Sequence, residues 1–314
     1  MLTLLWGLGS EGPLAAVLRE LDRLGAPTSL IDQREVLDTE IELDIAAKVG
    51  GTVRTRDQVV DLAEVTACYL RPYDWQDLSA VTLAGQNSSA WHHAAAIHEA
   101  LTCWSEITSG LVVNRLAAMA GNGSKPYQLA QIGRFGFRVP ETIVTTDPDA
   151  ARAFWEQHGS VIYKSVSAVR SRVSRLEAEH FERLGDVAWC PTQFQRYIAG
   201  MDYRVHVVGA EVFACEVRSE ADDYRYPGAH RVEIKACRVP WEVEDRCRRL
   251  TAAMQLFLAG IDLRRSHPDG EWYCFEVNPS PGFTYYENTT GLPIANAIAR
   301  LLAAGTNGLR HTSG

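Results

Sequence analysis

Apolar and polar positions along this chain follow two periods, and the switches between them lay out its elements. Leu2 to Trp6 is an apolar run of strand length, Pro13 to Leu24 carries apolar residues at helical spacing, and Thr28 to Asp32 and Thr66 to Leu70 are further short apolar runs. Strand, helix and strand in that order predict a small α/β unit. From Gln33 to Asp57 the sequence is polar and reads as irregular. Residues 83–110 read as helical, Gly121 to Ser124 as a loop, and Lys125 opens a helix that ends near Gly133 or Gly136. Ser160 to Lys164 is a short strand. Tyr203 to Val208 and Glu211 to Val217 alternate about Gly209-Ala210, the pattern of a β-hairpin. A second hairpin runs from Ala259 to Arg264, turns through His267, Pro268, Asp269 and Gly270, and returns from Glu271 to Asn278. Gly291, Leu292 and Pro293 start a helix that continues to Leu302. Residues 305–314 form a short polar tail expected to be disordered, and there is no internal repeat.

Composition narrows the function classes. At 314 residues, with 46% hydrophobic and 22% charged content, the chain can bury the cores of two or three subdomains. No stretch approaches the apolar length of a membrane span, and Met1 to Trp6 lacks a signal peptide's basic region, so a cytoplasmic location is expected. A net charge of −8 offers a polyanion no general attraction, which argues against nucleic acid as a partner. Seven cysteines without a C-x-x-C pair suit neither a disulfide framework nor a zinc site. Cys190, Cys215, Cys237 and Cys274 lie in or beside strand-like segments and read as core residues.

The second hairpin carries the candidate chemistry. Glu276 and Asn278, two apart on a strand, project from one face while Tyr273, Phe275 and Val277 cover the other, and Asp262 stands roughly opposite Glu276. Facing carboxylates repel unless a cation lies between them, and an all-oxygen ligand set favours magnesium; an ordinary solvated hairpin is the plainer alternative. Gly7, Gly9 and Gly12 spell G-x-G-x-x-G between strand and helix, with Asp32 twenty residues further on. That is a dinucleotide-binding spacing, or a turn that needs glycine for close packing. His93 and His98 are five apart and do not share a helical face as metal ligands would. Arg170, Arg172 and Arg175 form a local basic run able to meet phosphates or water. Lys125 stands at a helix N-terminus, where its charge opposes the helix dipole; a ligand contact and a free surface lysine are both open.

Taken in order, several segments resemble the ATP-grasp superfamily, in particular the RimK-type glutamate ligases and the graspetide (microviridin-type) peptide maturases. The resemblance covers roughly residues 112–302. It rests on Lys125 in Ser-Lys-Pro-Tyr-Gln-Leu, Val139-Pro140-Glu141-Thr142, Lys164 closing a strand, and Gln195-Arg196-Tyr197-Ile198 followed by Asp202-Tyr203-Arg204. Asp223-Tyr224-Arg225, Gly260-Ile261-Asp262 and Glu276-Val277-Asn278-Pro279-Ser280-Pro281-Gly282 complete it. The resemblance implies an α/β (α+β) chain with an ATP-grasp fold behind a Rossmann-like N-terminal domain. The corresponding units are residues 1–111, a central lid subdomain 112–190, a metal-bearing subdomain 191–304, and the tail. It further implies that Lys125 and Lys164 reach nucleotide phosphates and that Gln195, Arg196, Tyr197 and Ile198 form the hinge, whose backbone reads adenine. Asp202 would accept from the ribose, Asp262, Glu276 and Asn278 would hold the metal, and Arg204 and Arg225 would lie near the transferred phosphate. Two departures are present: Arg196 stands where the family usually has Glu, and Ser165 to Ser171 replaces a glycine-rich lid.

The activity so implied is an ADP-forming carboxylate–amine ligation through an acyl phosphate, using ATP and magnesium, with manganese as a substitute. Its partners would be small-molecule or peptide carboxylates and amines, with neither nucleic acid nor membrane, and a homodimer is left open. Leu70-Arg71-Pro72 resembles a patch of the peptide maturases and tilts the substrate toward an amino acid or peptide. Peptide macrocyclisation, ATP binding without ligation, and an NAD-dependent reaction on the glycine motif are the alternatives.

Overall fold

The computed structural model describes residues 2–45, 49–166, 173–219 and 231–306. Arg225, Arg170, Arg172 and most of the C-terminal tail lie outside the described residues.

The N-terminal unit contains β1 (Leu2–Gly7), α1 (Gly12–Arg23), β2 (Thr28–Asp32), β3 (Glu40–Ile45), β4 (Val49–Arg54), β5 (Val59–Asp61) and β6 (Val65–Arg71). Two helices, α2 (Ser79–Ala84) and α3 (Ser89–Ile107), lead into β7 (Leu111–Val113). Four strands pair in parallel in the order β2-β1-β6-β7. The polar stretch expected to be irregular instead contains β3 and β4, which join β5 just beyond it in a three-stranded antiparallel sheet, β3-β4-β5. Ile41, Leu43 and Ile45 alternate with Glu and Asp, a period of two diluted by charged partners, and Ile41, Leu43, Val53 and Val60 pack against α3 and the parallel sheet.

The middle of the chain runs through α4 (Leu116–Met119), α5 (Lys125–Gly133), β8 (Thr142–Thr145), α6 (Pro148–His158), β9 (Val161–Ser165), β10 (Ser174–Arg175) and β11 (Thr192–Arg196). A 3₁₀ segment spans Ala178–Trp189. The four strands form a sheet in the order β10-β9-β11-β8. Phe194 and Tyr163 are register partners on one face, packed with Ala151, Phe154, Leu184 and Val187 of α6 and the 3₁₀ segment. Lys164, Gln193 and Gln195 therefore share the opposite face, because alternate strand residues point to opposite sides.

The last unit is the antiparallel sheet β14-β13-β12-β15-β16. It is built from β12 (Gly200–Val208), β13 (Glu211–Ser219), β14 (Val232–Cys237), β15 (Leu258–Ser266) and β16 (Trp272–Asn278), with α7 (Trp241–Ala253) between β14 and β15. Val205, Val207, Ile261, Leu263, Cys274 and Val277 pack on Val243, Cys247 and Leu250 of α7 and on Leu129 and Ile132 of α5. After α8 (Thr284–Thr290), helix α9 (Ile294–Ala304) returns to the N-terminal unit. Ile298 and Leu302 join Leu14, Val17, Leu21 and Leu5 in one buried cluster with Val208, Leu258 and Phe283. At about 25 cal/mol per Å² of apolar surface, such a continuous seam fixes the first and last units to each other.

Two expectations change in the second hairpin and among the cysteines. The register slips between Asp262 and Leu263, so Asp262 opposes Glu276 while Leu263 opposes Cys274, and Phe275 is the extra residue of a β-bulge. Val277 alone of the three expected residues faces α7; Cys274 takes the other core position, and Tyr273 and Phe275 turn to the polar face. Cys190 is exposed rather than buried, and Cys237 is only partly covered.

Candidate active site

The polar face of the last sheet holds a row set by strand register. Arg204 on β12 is the partner of Asp262 on β15, and Asp262 is the partner of Glu276 on β16. The side chains are joined as the backbones are: Arg204 Nη1 donates to Asp262 Oδ1 at 2.7 Å. Arg204 is only 6% exposed, so its charge is held by that carboxylate in a low-dielectric setting. Gly260, also on this face, makes the room. A Cβ there would run into the Arg204 guanidinium and lie 2.7 Å from Pro281 Cβ. The carboxylate of half-buried Glu276 forms no hydrogen bond or ion pair among the described residues, and Asn278 Oδ1 accepts the Ser280 N–H at 2.9 Å. An unpaired carboxylate beside a second carboxylate and an amide oxygen is a hard-oxygen set that fits magnesium. Asp262, Glu276 and Asn278 would hold it.

His206 completes the row's far end. It is fully buried opposite Gly260, with its ring against Tyr286 at 5.2 Å and its Nε2 accepting from Arg204 Nε at 3.5 Å. Burial, reinforced by the neighbouring Arg204 charge, holds its pKa well below the ordinary 6.5, so the ring is neutral.

Two amide side chains that the sequence reading passed over brace the end of β16 and the loop after it. Gln128, one turn beyond Lys125 on α5, bonds both backbone groups of Val277. Asn114 donates to the carbonyls of Leu258 and Pro279 and accepts from the N–H groups of Phe257 and Leu258. All four of its hydrogen-bonding positions are filled. Arg71 adds a third tie, donating to Glu11 and, at 3.3 Å, to the Pro281 carbonyl.

The two lysines are buried rather than free on the surface, each 8% exposed, Lys125 at the first turn of α5 and Lys164 on β9. On β11, Gln195 donates to Thr142 Oγ1 at 2.9 Å, and its Oε1 is buried with no partner among the described residues. Arg196 is not confined to backbone contacts. Its guanidinium pairs with Glu141 and donates to Tyr273 Oη at 3.1 Å, linking the central sheet to β16. Of the hinge backbone, the Arg196 N–H bonds the Glu141 carbonyl and the Tyr197 N–H bonds the Ser160 carbonyl, both at 2.9 Å. The Ile198 carbonyl accepts from Arg264 at 2.8 Å. Asp202 is clamped by the same Arg264, through Nε at 2.6 Å and Nη2 at 2.7 Å. Arg175 and Arg264 lie over the Tyr197 ring at 4.0 and 5.5 Å.

The glycine motif at the N-terminus is filled by the chain itself. A Cβ on Gly7 would lie 2.5 Å from the Arg71 carbonyl oxygen, one on Gly9 2.7 Å from Asp32 Oδ2, and one on Gly12 3.2 Å from Thr284 Oγ1. Asp32 accepts the Gly9 N–H at 3.1 Å and pairs with Arg34. The glycines serve close packing. Burial pushes the Cys237 and Cys247 thiols up to about 11 and about 12, which disfavours a thiolate nucleophile at those two positions.

A family profile described as a RimK-like ATP-grasp domain matches residues 125–302, more than half of the chain. The chain belongs to the RimK-like ATP-grasp family. A curated relative named "Probable alpha-L-glutamate ligase" from Picosynechococcus sp. is 38% identical over 113 residues, 34% of this chain and 36% of the relative. The match thus spans about a third of that relative's length. Among solved structures, the macrocyclase MdnC of Microcystis aeruginosa, bound with precursor peptide MdnA, superposes with a TM-score of 0.81 at 22% identity, covering 96% of this chain and 99% of MdnC. The ATP-grasp ligase PsnB, complexed with minimal precursor, Mg and ADP, superposes with a TM-score of 0.76 at 25% identity, covering 96% of each. The ATP-grasp architecture extends over nearly the whole chain. Among the described residues no helix is long and apolar enough to cross a membrane.

Proposed function

We propose that this ATP-grasp protein is an ATP-dependent ligase that activates a carboxylate as an acyl phosphate and passes the acyl group to an amine, releasing ADP and phosphate. The observation that carries this reading is the pairing of Asp262 with Glu276 across the hairpin, with Arg204 bonded to the former. Magnesium bound there would neutralise phosphate charge. The chain's own groups supply the rest. Lys125 and Lys164 offer ammonium groups to the nucleotide phosphates from two separate elements, and burial strengthens their field. Arg204, fixed by Asp262, is oriented before the substrate arrives, so charge developing on the transferred phosphoryl group meets a donor that need not reorganise. Arg225 would act alongside it. Gln195, Arg196, Tyr197 and Ile198 would hold the base, with the Arg196 and Tyr197 carbonyls and the Ile198 N–H as its hydrogen-bonding groups. Asp202, steadied by Arg264, would accept from the ribose hydroxyls.

In the first step a carboxylate oxygen attacks the γ-phosphorus and ADP leaves. In the second, an amine attacks the acyl carbon, phosphate leaves, and the amine's proton passes to solvent or to a phosphate oxygen. Neither step needs a protein nucleophile, and positioning provides much of the acceleration.

A peptide is the substrate class favoured by the closeness of the superposition, with a TM-score of 0.76 for PsnB complexed with its minimal precursor against 0.56 for D-alanyl-alanine synthetase A of Vibrio cholerae. A macrocyclase, joining side chains within one peptide, is the second reading. The test is ADP release over a panel of amino acids and of peptides encoded beside this gene, with products weighed. Loss of one water within a single peptide marks cyclisation, and a gain in mass marks ligation. The Glu276→Ala variant should retain its fold and lose about 100-fold or more in turnover. Undiminished turnover would remove Glu276 from the site, and ATP binding without product from any carboxylate–amine pair would leave a binding protein.

A further inference from the structure

Gln193 stands at the middle of β11, fully buried, and neither its Nε2 nor its Oε1 has a hydrogen-bond partner among the described residues. A buried primary amide with both ends unmet is costly, because its desolvation is not returned by new bonds. Nothing in strand propensity calls for glutamine there, and an aliphatic residue would fill the position without that cost. Such a group is explained when a ligand completes it.

Its surroundings identify the ligand. Gln193 is the register partner of Lys164 on one side and Val144 on the other, so it shares a face with the lysine assigned to the phosphates. Two residues further along the chain begin the hinge residues assigned to the base. Gln195, on the same face, presents a second buried acceptor without a partner. A triphosphate and a ribose offer a carboxamide no planar donor and acceptor side by side. The N6–N7 edge of adenine does, with an N–H donor next to a ring-nitrogen acceptor at the spacing that a glutamine matches with two hydrogen bonds.

We propose that Gln193 reads the N6–N7 edge of adenine, its Oε1 accepting from N6 and its Nε2 donating to N7, and so selects ATP over nucleotides that lack either group. This rests on the ATP-site reading above and adds to it a residue that determines the base. Guanine and hypoxanthine present oxygen in place of N6, so the glutamine acceptor would face another acceptor.

The experiment compares ATP with 7-deaza-ATP, which keeps every hinge contact and lacks only the N7 acceptor. Calorimetric binding to the wild-type chain should be about tenfold weaker for 7-deaza-ATP, and weaker again for inosine triphosphate. In Gln193→Leu, which loses the bond to N6 as well, affinity for ATP should fall by at least about the same tenfold, and the two nucleotides should bind alike. The ligand-free variant should melt at a higher temperature than wild type, since an unmet amide is gone. Gln193→Met serves if the branched residue does not fold. Equal binding of ATP and 7-deaza-ATP by the wild-type chain, or an unchanged ratio between them in the variants, overturns the role of Gln193 while leaving the ATP site in place. Failure of the wild-type chain to bind ATP overturns both.

Discussion

Gln128 holds Val277 by both ends of its carboxamide, Nε2 donating to the carbonyl at 2.6 Å and Oε1 accepting from the N–H at 2.9 Å. Val277 lies between Glu276 and Asn278, and Gln128 lies one turn from Lys125, so this pair of bonds sets how far the candidate metal ligands stand from a candidate phosphate lysine. Gln128→Leu strands two buried backbone groups and should destabilise the chain by about 2 kcal/mol in urea unfolding. It should also raise the magnesium concentration for half-maximal ADP release several-fold. A stability loss with an unchanged magnesium requirement would confine Gln128 to a structural role.

Gly260→Ala probes the space above the sheet. The added methyl occupies the place of the Arg204 guanidinium and presses on Pro281, whose carbonyl also accepts from Arg71. Displacing an oriented charge by about 1 Å is expected to lower kcat by about 100-fold, with a smaller change in the KM for ATP. Steady-state ADP release decides it, and an unchanged kcat would show that the arginine can shift without consequence.

His206 makes stability depend on pH. Its folded pKa lies well below 6.5, so below that value the unfolded chain binds a proton that the folded chain refuses. This contribution is fully present above pH 6.5 and is lost as pH falls. The slope is up to about 1.4 kcal/mol per pH unit until the folded pKa is reached. Unfolding free energies at pH 7.5 and 5.5 should show this difference in the wild-type chain and a smaller one in His206→Gln. Equal slopes in both would assign the acid sensitivity elsewhere.

Arg264 joins Asp202, the Ile198 carbonyl and the faces of Tyr197 and Phe275 in one cluster. Arg264→Met leaves the Asp202 carboxylate without its fork, and ATP affinity should fall by about tenfold. Arg264→Lys keeps the charge but not the two parallel bonds, and should recover part of the loss. Calorimetric titration distinguishes the two variants, and wild-type affinity in both would exclude the clamp from nucleotide binding.

The sequence by itself determined what is local. Alternation with period two and a Pro-Asp-Gly turn bring Asp262 close to Glu276, because a hairpin's register follows from its turn; continued unbroken that register would set Asp262 opposite Phe275, and the bulge sets it opposite Glu276. The same reasoning locates β1, α1, β2 and β6, whose apolar runs are buried in two clusters, and Lys125 at the start of α5. Tertiary structure decided the rest. The bulge that turns Tyr273 and Phe275 to the polar face, the bracing of Val277 by a residue 149 positions away, and the clamp on Asp202 depend on which surfaces meet after folding. The glycines met the spacing of a dinucleotide motif, yet their space is taken by Arg71, Asp32 and Thr284. A spacing states where residues fall along an element. Whether a ligand or the chain itself fills the space beside them is settled only when distant segments pack.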